Sequence, residues 1–250
     1  MKKTTALTIA ALAAAELFAF QGTVSTETDN FTGDVKWNPR DKKYVIEKGK
    51  ITKEFALADV TSVEIAKPAA FDGAVKLVQD GKAAAAVAPL QKIVTDYRML
   101  GWDKTAGRWL VQALLATGNA QKALGVCAPI IAEDKQAAYI GDLAPMYWQA
   151  LLKTGKKDQL EGLLKKAAGS GDRAASAAAL VMRGDMIVAS SNDKPDELKN
   201  ALRDGYLRVV LMYPDASCAR ERAEACLKAA SCFDKLGQTA RAEQLRAQAK

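Results

Sequence analysis

The chain has 250 residues and a hydrophobic content of 49%, which is enough for one large or two smaller domains with an alanine- and leucine-rich helical core. It contains no histidine, which excludes the usual general base of Ser-His-Asp and Cys-His sites and the commonest metal ligand. The formal net charge is +7, but no segment concentrates the basic residues as a nucleic-acid-binding arm would, so we expect no nucleic-acid partner.

The beginning of the chain is typical of a secretory signal peptide, which we assign to residues 1–22. Two lysines precede a short apolar run, and Ala13 to Ala15 offers the small residues that signal peptidase recognises. The apolar run is interrupted by Glu16 and is too short to span a bilayer, so an uncleaved anchor is the weaker alternative. The sequence therefore predicts a periplasmic or secreted protein whose mature chain begins between Glu16 and Thr23.

The next segment, residues 23–30, is polar and rich in Ser, Thr and acidic side chains, which predicts a flexible leader. Over residues 31–67 the pattern changes to short alternating runs separated by turn residues. This pattern predicts a small β module with four strands, located at residues 31–37, 43–47, 51–56 and 60–65.

The order of strands and turns in this module, which ends in FALADVTSVEI, resembles the small SH3-like or Sm-like barrels found before helical repeats in some bacterial envelope proteins. The resemblance implies a four- or five-stranded barrel-like module. Sm-like barrels can bind RNA, and Trp37 with Tyr44 would then form a base-stacking pair. Since an exported chain would not meet RNA, we expect these two rings to pack in the core of the module.

The remainder of the chain, residues 68–250, has the apolar periodicity of amphipathic helices. Five helical hairpins are predicted, at residues 71–97, 104–134, 142–168, 173–212 and 216–248. The segment Met99–Trp102 is interpreted as a link between the first two. Turn glycines stand at Gly81, Gly118 and Gly155, and both intervals are 37 residues. A repeat of this length is typical of a helical solenoid.

The last hairpin resembles a known family. Its segment AASCFDKLGQTARAEQL is similar to the tetratricopeptide (TPR) pattern of small, aromatic, Leu-Gly and Ala positions, and Tyr213-Pro214-Asp215 resembles the proline that closes such a repeat. The resemblance covers about residues 70–249 and implies a mainly α fold, a right-handed α-solenoid of about five TPR-like hairpins. The interval of 37 residues differs from the family's period of about 34, which leaves a related, irregular helical repeat as the alternative.

TPR proteins are binding scaffolds in which the first helices of successive hairpins line a concave groove, and the resemblance implies the same role here. Matching each turn glycine to the family's position places four polar residues on the groove-facing side: Arg108, Gln112, Gln149 and Lys153. Arg108 and Lys153 would favour an acidic or C-terminal-carboxylate segment of a cell-envelope protein as the partner. The alternative is that all four are ordinary solvated helix residues.

The four cysteines, Cys127, Cys218, Cys226 and Cys232, lack the Cys-x-x-Cys spacing and the histidines of a zinc site, so we expect no bound metal. If the last three lie in one helix, a rise of about 1.5 Å per residue separates neighbouring pairs by about 9 to 12 Å, beyond the roughly 7 Å between Cα atoms that a disulfide allows. We expect buried free thiols. A bridge from Cys218 stays open if this residue precedes the helix.

Two other functional classes remain. A structural envelope component would self-associate as a homo-oligomer through the β module or a helix edge. An enzyme would have to work with carboxylates alone, as glycosidases do. Asp142, Asp185 and Glu224 are available, but nothing in the sequence brings two of them together. The sequence therefore favours a non-catalytic interaction scaffold without a cofactor, associated with a membrane only through its partner.

Overall fold

The structure, a computed structural model, describes residues 19–249. The chain forms two compact units. The sheet unit comprises the described residues up to Pro68 together with Ile93–Asp103, and the helical unit comprises Ala69–Lys92 and the residues from Lys104 onward. Most of the predicted signal peptide, residues 1–18, lies outside the described residues.

The sheet unit contains a five-stranded antiparallel sheet in the order β4-β3-β2-β1-β5. Its strands are β1 Phe20–Thr26, β2 Asn30–Asn38, β3 Lys43–Lys48, β4 Ile51–Ala56 and β5 Val60–Ile65. The four predicted strands are confirmed as β2 to β5. Strands β4 and β5 are joined by the short 3₁₀ turn Leu57–Asp59 but occupy opposite edges of the sheet. The sheet is therefore open, and the expected barrel is not closed.

Strand β1 lies where the sequence predicts a signal-peptide end and a flexible leader over residues 23–30. In the structure this leader is instead the second half of β1, a turn and the start of β2. Val24, opposite Phe31 of β2 and Val63 of β5, is completely buried. The polar composition conceals the strand because Val24 is its one fully buried side chain and one of its two partner strands, β5, lies far along the chain.

The core of the sheet unit is small and draws on residues far apart in sequence. Its buried members are Val24, Val35, Tyr44, Ile46 and Leu100. Leu100 belongs to the segment 93–103, which joins the end of one helix to the start of the next. Phe20 of β1 stacks on Tyr97 of this segment, with ring centroids 3.9 Å apart. The segment interpreted as a link between hairpins therefore completes the core of the sheet.

Two side-chain hydrogen bonds to main-chain carbonyls fix this segment. The hydroxyl of Tyr44 donates to Met99 at 2.8 Å, and the indole N–H of Trp102 donates to Ile65 at 2.9 Å. The ring of Tyr44 also contacts that of Trp37, at 4.8 Å between centroids. Since Tyr44 is buried and Trp37 is half-buried, these rings pack against each other in the sheet unit, as expected.

The helices follow the sheet in chain order, and they occur in five consecutive pairs where the five hairpins are predicted. They are α1 Phe71–Gln79, α2 Ala83–Asp96, α3 Trp102–Ala116, α4 Ala120–Glu133, α5 Leu143–Lys153, α6 Lys157–Ala168, α7 Arg173–Ser191, α8 Pro195–Ala201, α9 Leu207–Met212, α10 Ala219–Lys235 and α11 Thr239–Gln248. A π-helical segment, Leu202–Tyr206, joins α8 to α9, so the fourth pair is α7 with α8–α9. No helix within residues 19–249 is long and apolar enough to cross a membrane.

Four of the five helix pairs turn through the same backbone geometry. A glycine with φ between 71° and 77° follows the first helix, at Gly81, Gly118, Gly155 and Gly237. The residue after each glycine donates its N–H to the carbonyl oxygen five residues earlier, at 2.7 to 3.0 Å. This is the Schellman type of helix end, which favours glycine because of its positive φ. The repeated turn is the structural counterpart of the 37-residue interval.

Small residues allow close helix packing within the fourth pair. A Cβ added to Gly205 would lie 2.7 Å from the Cα of Gly184, and one added to Gly184 would lie 2.5 Å from the ring of Tyr206. All four cysteines are buried and free, as expected. Cys218 ends a 3₁₀ turn that precedes α10 and makes no disulfide there.

Candidate binding cleft on the helical unit

The carboxylate of Asp142 lies where three helices meet. Asp142 is the N-cap residue of α5, yet its side chain makes no capping hydrogen bond. Instead, Oδ2 accepts from Arg108 Nη1 of α3 at 3.2 Å, and Oδ1 accepts from Arg220 Nη1 of α10 at 3.0 Å. An aspartate at this position ordinarily caps its own helix. Here it connects the first helices of the second, third and fifth pairs.

Two open cavities flank this carboxylate. One, of about 320 Å³, lies between the start of α3, the end of α4 and the loop before α5. The other, of about 100 Å³, lies between the first turns of α5, α7 and α10. Gly141 and Asp142 line both. We call the two cavities together the Asp142 cleft, whose charged residues are Lys104, Arg108, Asp134, Asp142, Asp172, Arg220 and Glu221.

The loop that carries Asp142 is held in place by hydrogen bonds on both sides of the 3₁₀ turn Lys135–Ala138. Asp134 accepts from the N–H of Gln136 at 3.1 Å and pairs with Lys104 at 3.2 Å. Trp148 of α5 donates its indole N–H to the carbonyl oxygen of Ala138 at 2.9 Å, in a buried position. Burial alone would raise the pKa of Asp134, but Lys104 and the main-chain donors outweigh it and lower that pKa.

The first helices of the later pairs lie side by side behind this cleft. Helix α5 contacts α7, and α7 contacts α10. Asp172 begins α7, where its side chain accepts from the N–H of Ala175 at 2.8 Å. The N-terminal ends of these helices therefore open into one cleft, as the first helices of a recognition groove would.

The charge of the cleft is mixed. Three cations, Lys104, Arg108 and Arg220, stand beside four carboxylates, Asp134, Asp142, Asp172 and Glu221. Arg108, expected to offer a free positive charge, is already paired with Asp142. That carboxylate is 67% exposed, however, and exposed ion pairs are worth about 1 kcal/mol or less, so an incoming group can replace either partner at little cost.

Of the four residues predicted to face a groove, Arg108 alone lines either cavity. Its guanidinium also lies over the ring of Trp109, 4.6 Å from the centroid. Gln112 is exposed one turn further along α3, while on α5 Gln149 is half-buried and Lys153 is exposed. The latter two follow Asp142 by seven and eleven residues, or about 10 and 16 Å along a helix axis. The structure therefore does not gather the four into one cluster.

The carboxylates considered for an enzyme are placed as follows. Lys228 of α10 pairs with Asp185 of α7 at 2.5 Å and with Glu224 at 2.8 Å, whereas Asp142 belongs to the cleft. Asp185 also accepts a hydrogen bond from Tyr206 at 2.7 Å. The two ion pairs and this hydrogen bond therefore join Lys228, Asp185, Glu224 and Tyr206 in one cluster.

Burial of this cluster affects its titration. Burial and the charge of Asp185 raise the pKa of Tyr206. For Lys228, burial lowers the pKa, but the two carboxylates outweigh it and raise the pKa overall. The cluster is therefore a half-buried polar contact between α7 and α10.

Arg220 is a cleft residue that sequence reasoning missed. It is 78 residues from Asp142, and no local pattern links the two positions.

Within residues 19–249 no group of three or more Cys, Asp or Glu side chains is arranged to hold a metal ion. Comparison of the chain with protein-family models, with curated proteins and with solved structures finds no match. The resemblance to TPR proteins therefore rests on the residues of this chain alone.

Proposed function

We propose that the protein is an exported, non-catalytic scaffold of the cell envelope that binds a peptide or a partner protein through the Asp142 cleft. The observation that carries the proposal is the bridging of Arg108 and Arg220 by Asp142, between two open cavities. Charged groups from separate helices there surround a space that a peptide can enter. The ion pairs of the cleft can exchange partners, and its polar side chains can form hydrogen bonds with the main chain of a bound peptide. Both properties suit a polar peptide.

The repeat and barrel-like interpretations are part of the same proposal. Four similar Schellman turns and the 37-residue interval support a TPR-like repeat whose first helices form a binding surface. The strand order β4-β3-β2-β1-β5, with a 3₁₀ turn between β4 and β5, supports an SH3-like relationship for the sheet unit.

Site-specific photo-crosslinking in cells tests the cleft. A photoreactive amino acid at Thr105, an exposed residue that lines the larger cavity, should capture a partner protein. The same amino acid at Lys122, exposed on the second helix α4 and outside both cavities, is the matched control. Capture from Thr105 alone, reduced by Asp142→Arg, is the expected result. Equal capture from both positions, or capture from neither, would show that the cleft is not the binding surface.

Export is tested by the N-terminus of the mature chain. Because β1 begins at Phe20 and Val24 is a core residue, we expect cleavage between Ala15 and Phe20, within the earlier part of the range that the sequence allows. Cleavage as late as Thr23 would remove half of an internal strand. Mass spectrometry of protein from the envelope fraction checks this, and an intact Met1 would contradict export.

Self-association is the second candidate function, and the open sheet favours it. Strand β4 is an edge strand, and Ile51 at its start is 63% exposed. Unpaired edges can extend a sheet into a second chain. Light scattering coupled to size-exclusion chromatography distinguishes the candidates. A dimer that becomes monomeric on Thr52→Pro would favour assembly, and a monomer at all concentrations would favour the scaffold.

A further inference from the structure

A second surface of the helical unit is cationic. A groove of about 470 Å³ lies between α8–α9 on one side and the end of α10 with the start of α11 on the other. Four of its lining residues are positively charged: Lys199, Arg203, Arg208 and Arg241. Among residues 19–249, no carboxylate lines it. We call this surface the arginine groove.

The cations of the arginine groove are poorly neutralised. Lys199 pairs with the highly exposed Asp196, one turn earlier. Arg241 donates to the neutral Gln238 at 2.7 Å. Arg208 has no ion pair in the part of the chain that the structure describes, residues 19–249. Positive charge therefore remains available along the groove.

A second carboxylate close to this surface, that of Asp204, is already surrounded by arginines. Asp204 pairs with its neighbour Arg203 at 2.8 Å. The hydrogen bonds from Arg203, together with the charges of Arg183 and Arg208, lower the pKa of Asp204. A single aspartate cannot balance three guanidinium groups, so the excess of positive charge persists around it.

The groove also has an apolar floor and an apolar rim. Phe233 and Leu202 are buried at its base, and Arg241 lies over the Phe233 ring at 5.8 Å from the centroid. At the rim, Leu211 is 78% exposed, which is more than any other large hydrophobic side chain within residues 19–249. A ligand that fits this surface must therefore supply both negative charge and apolar side chains.

We propose that the arginine groove binds an acidic, leucine-containing segment of a partner protein. Its carboxylates pair with the four cations, and its apolar side chains cover Leu211 and enter above Phe233. Side chains of α8–α9 line the groove on one side and side chains of α10 and α11 on the other, which suits an extended peptide segment. The residues that line the arginine groove differ from those that line the Asp142 cleft, so an experiment on the groove does not test the proposed scaffold function.

Fluorescence anisotropy with the full chain tests the proposal. The probe is a labelled synthetic peptide rich in glutamate and leucine, and its counterpart has lysine in place of each glutamate. We expect saturable binding of the acidic probe that weakens as salt is added, and no binding of the lysine counterpart. Absence of binding by the acidic probe would overturn the proposal.

Two variants locate the binding. Arg208→Glu with Arg241→Glu should weaken the affinity at least about tenfold. Lys122→Glu with Lys166→Glu, which changes the net charge equally at exposed positions outside the groove, should leave it within about twofold. Leu211→Ser, at a site too exposed to affect folding, should weaken binding about threefold through its apolar part. Circular dichroism melts verify that each variant is folded.

Equal losses for the groove pair and the control pair would overturn the proposal in favour of nonspecific charge attraction. A further experiment measures binding to vesicles of phosphatidylglycerol. Vesicle binding that is lost in Arg208→Glu with Arg241→Glu, without binding of the acidic peptide, would identify the surface as a membrane contact and would also overturn the proposal.

Discussion

The sheet unit and the helical unit are stabilised by contacts of different range. In the sheet unit, Tyr44 bonds to a residue 55 positions away and Trp102 to one 37 positions away, and the small core is incomplete without Leu100. In the helical unit, four helix pairs close over a glycine turn, and each turn is stabilised by hydrogen bonds within about six residues. The core of the sheet unit therefore depends on a segment distant in sequence, whereas the turns of these helix pairs are closed by local hydrogen bonds.

This difference predicts how each unit responds to change. A small core assembled from distant segments has few substitutes for any one side chain, so a single polar substitution should unfold it as a whole. Helix pairs that repeat along the chain should absorb local changes more gradually. Three substitutions and one change of pH test this contrast and are given in order of decreasing effect.

The largest effect is expected for Val24→Asp in the sheet unit. A carboxylate at this completely buried position of β1 has no partner, and such substitutions cost about 4 kcal/mol or more. The fluorescence of Trp37 and Trp102 should report loss of the sheet unit, while the helical signal in circular dichroism persists. Thr28→Asp, in the exposed turn after β1, is the control and should change neither signal. Simultaneous loss of the helical signal would show that the two units fold as one.

A smaller effect is expected for Gly205→Ala in the helical unit. The added Cβ would meet the main chain of Gly184, which must shift, at a cost of about 1–3 kcal/mol. Gly162→Ala, in α6 with no atom within 4 Å of the added Cβ, should instead stabilise the helical unit slightly. Urea unfolding followed by circular dichroism measures both. Equal effects of the two substitutions would contradict the close packing at this crossing.

Alkaline pH should weaken the helical unit selectively, since all four cysteines lie there. Burial raises the pKa of Cys127 from 9.0 to about 12. A raised pKa in the folded state contributes stability that is present below pH 9 and is lost as the pH rises towards 12. At about pH 10 the loss of stability from this thiol is about 1.4 kcal/mol. The free energy of unfolding measured in urea should therefore decline between about pH 8 and pH 10.5, and it should decline less steeply in Cys127→Ala. The same slope in both proteins would exclude this thiol as the source of the decline.

The smallest effect is expected for Asp142→Asn. The ion pairs of Asp142 join distant parts of the chain but are exposed, so their loss should change the free energy of unfolding by no more than about 1 kcal/mol. Thermal unfolding compared with that of Asp158→Asn, an exposed aspartate of α6, measures the difference. A loss above about 2 kcal/mol would mean that the cleft maintains the fold, and that long-range contacts matter in the helical unit as well.

Much of the secondary structure could be predicted because its causes are local. Alternation located β2 to β5, and apolar periodicity with turn glycines located the five helix pairs. Strand β1 escaped because it carries one fully buried residue, Val24, and its hydrogen bonds are made with β2 and β5. The core role of Met99–Trp102 could not be predicted either, because the contacts of Leu100 with the sheet are made by residues far away in the chain.

The candidate binding surfaces divide in the same way. Helical periodicity depends on neighbouring residues, so the sequence alone is enough to place cations such as Arg108 on helices. The pairing of Asp142 with both Arg108 and Arg220, and the excess of positive charge around Arg208, follow from the tertiary structure. Electrostatic interactions depend on distance in space, and the fold brings together charges that lie 34 to 78 residues apart.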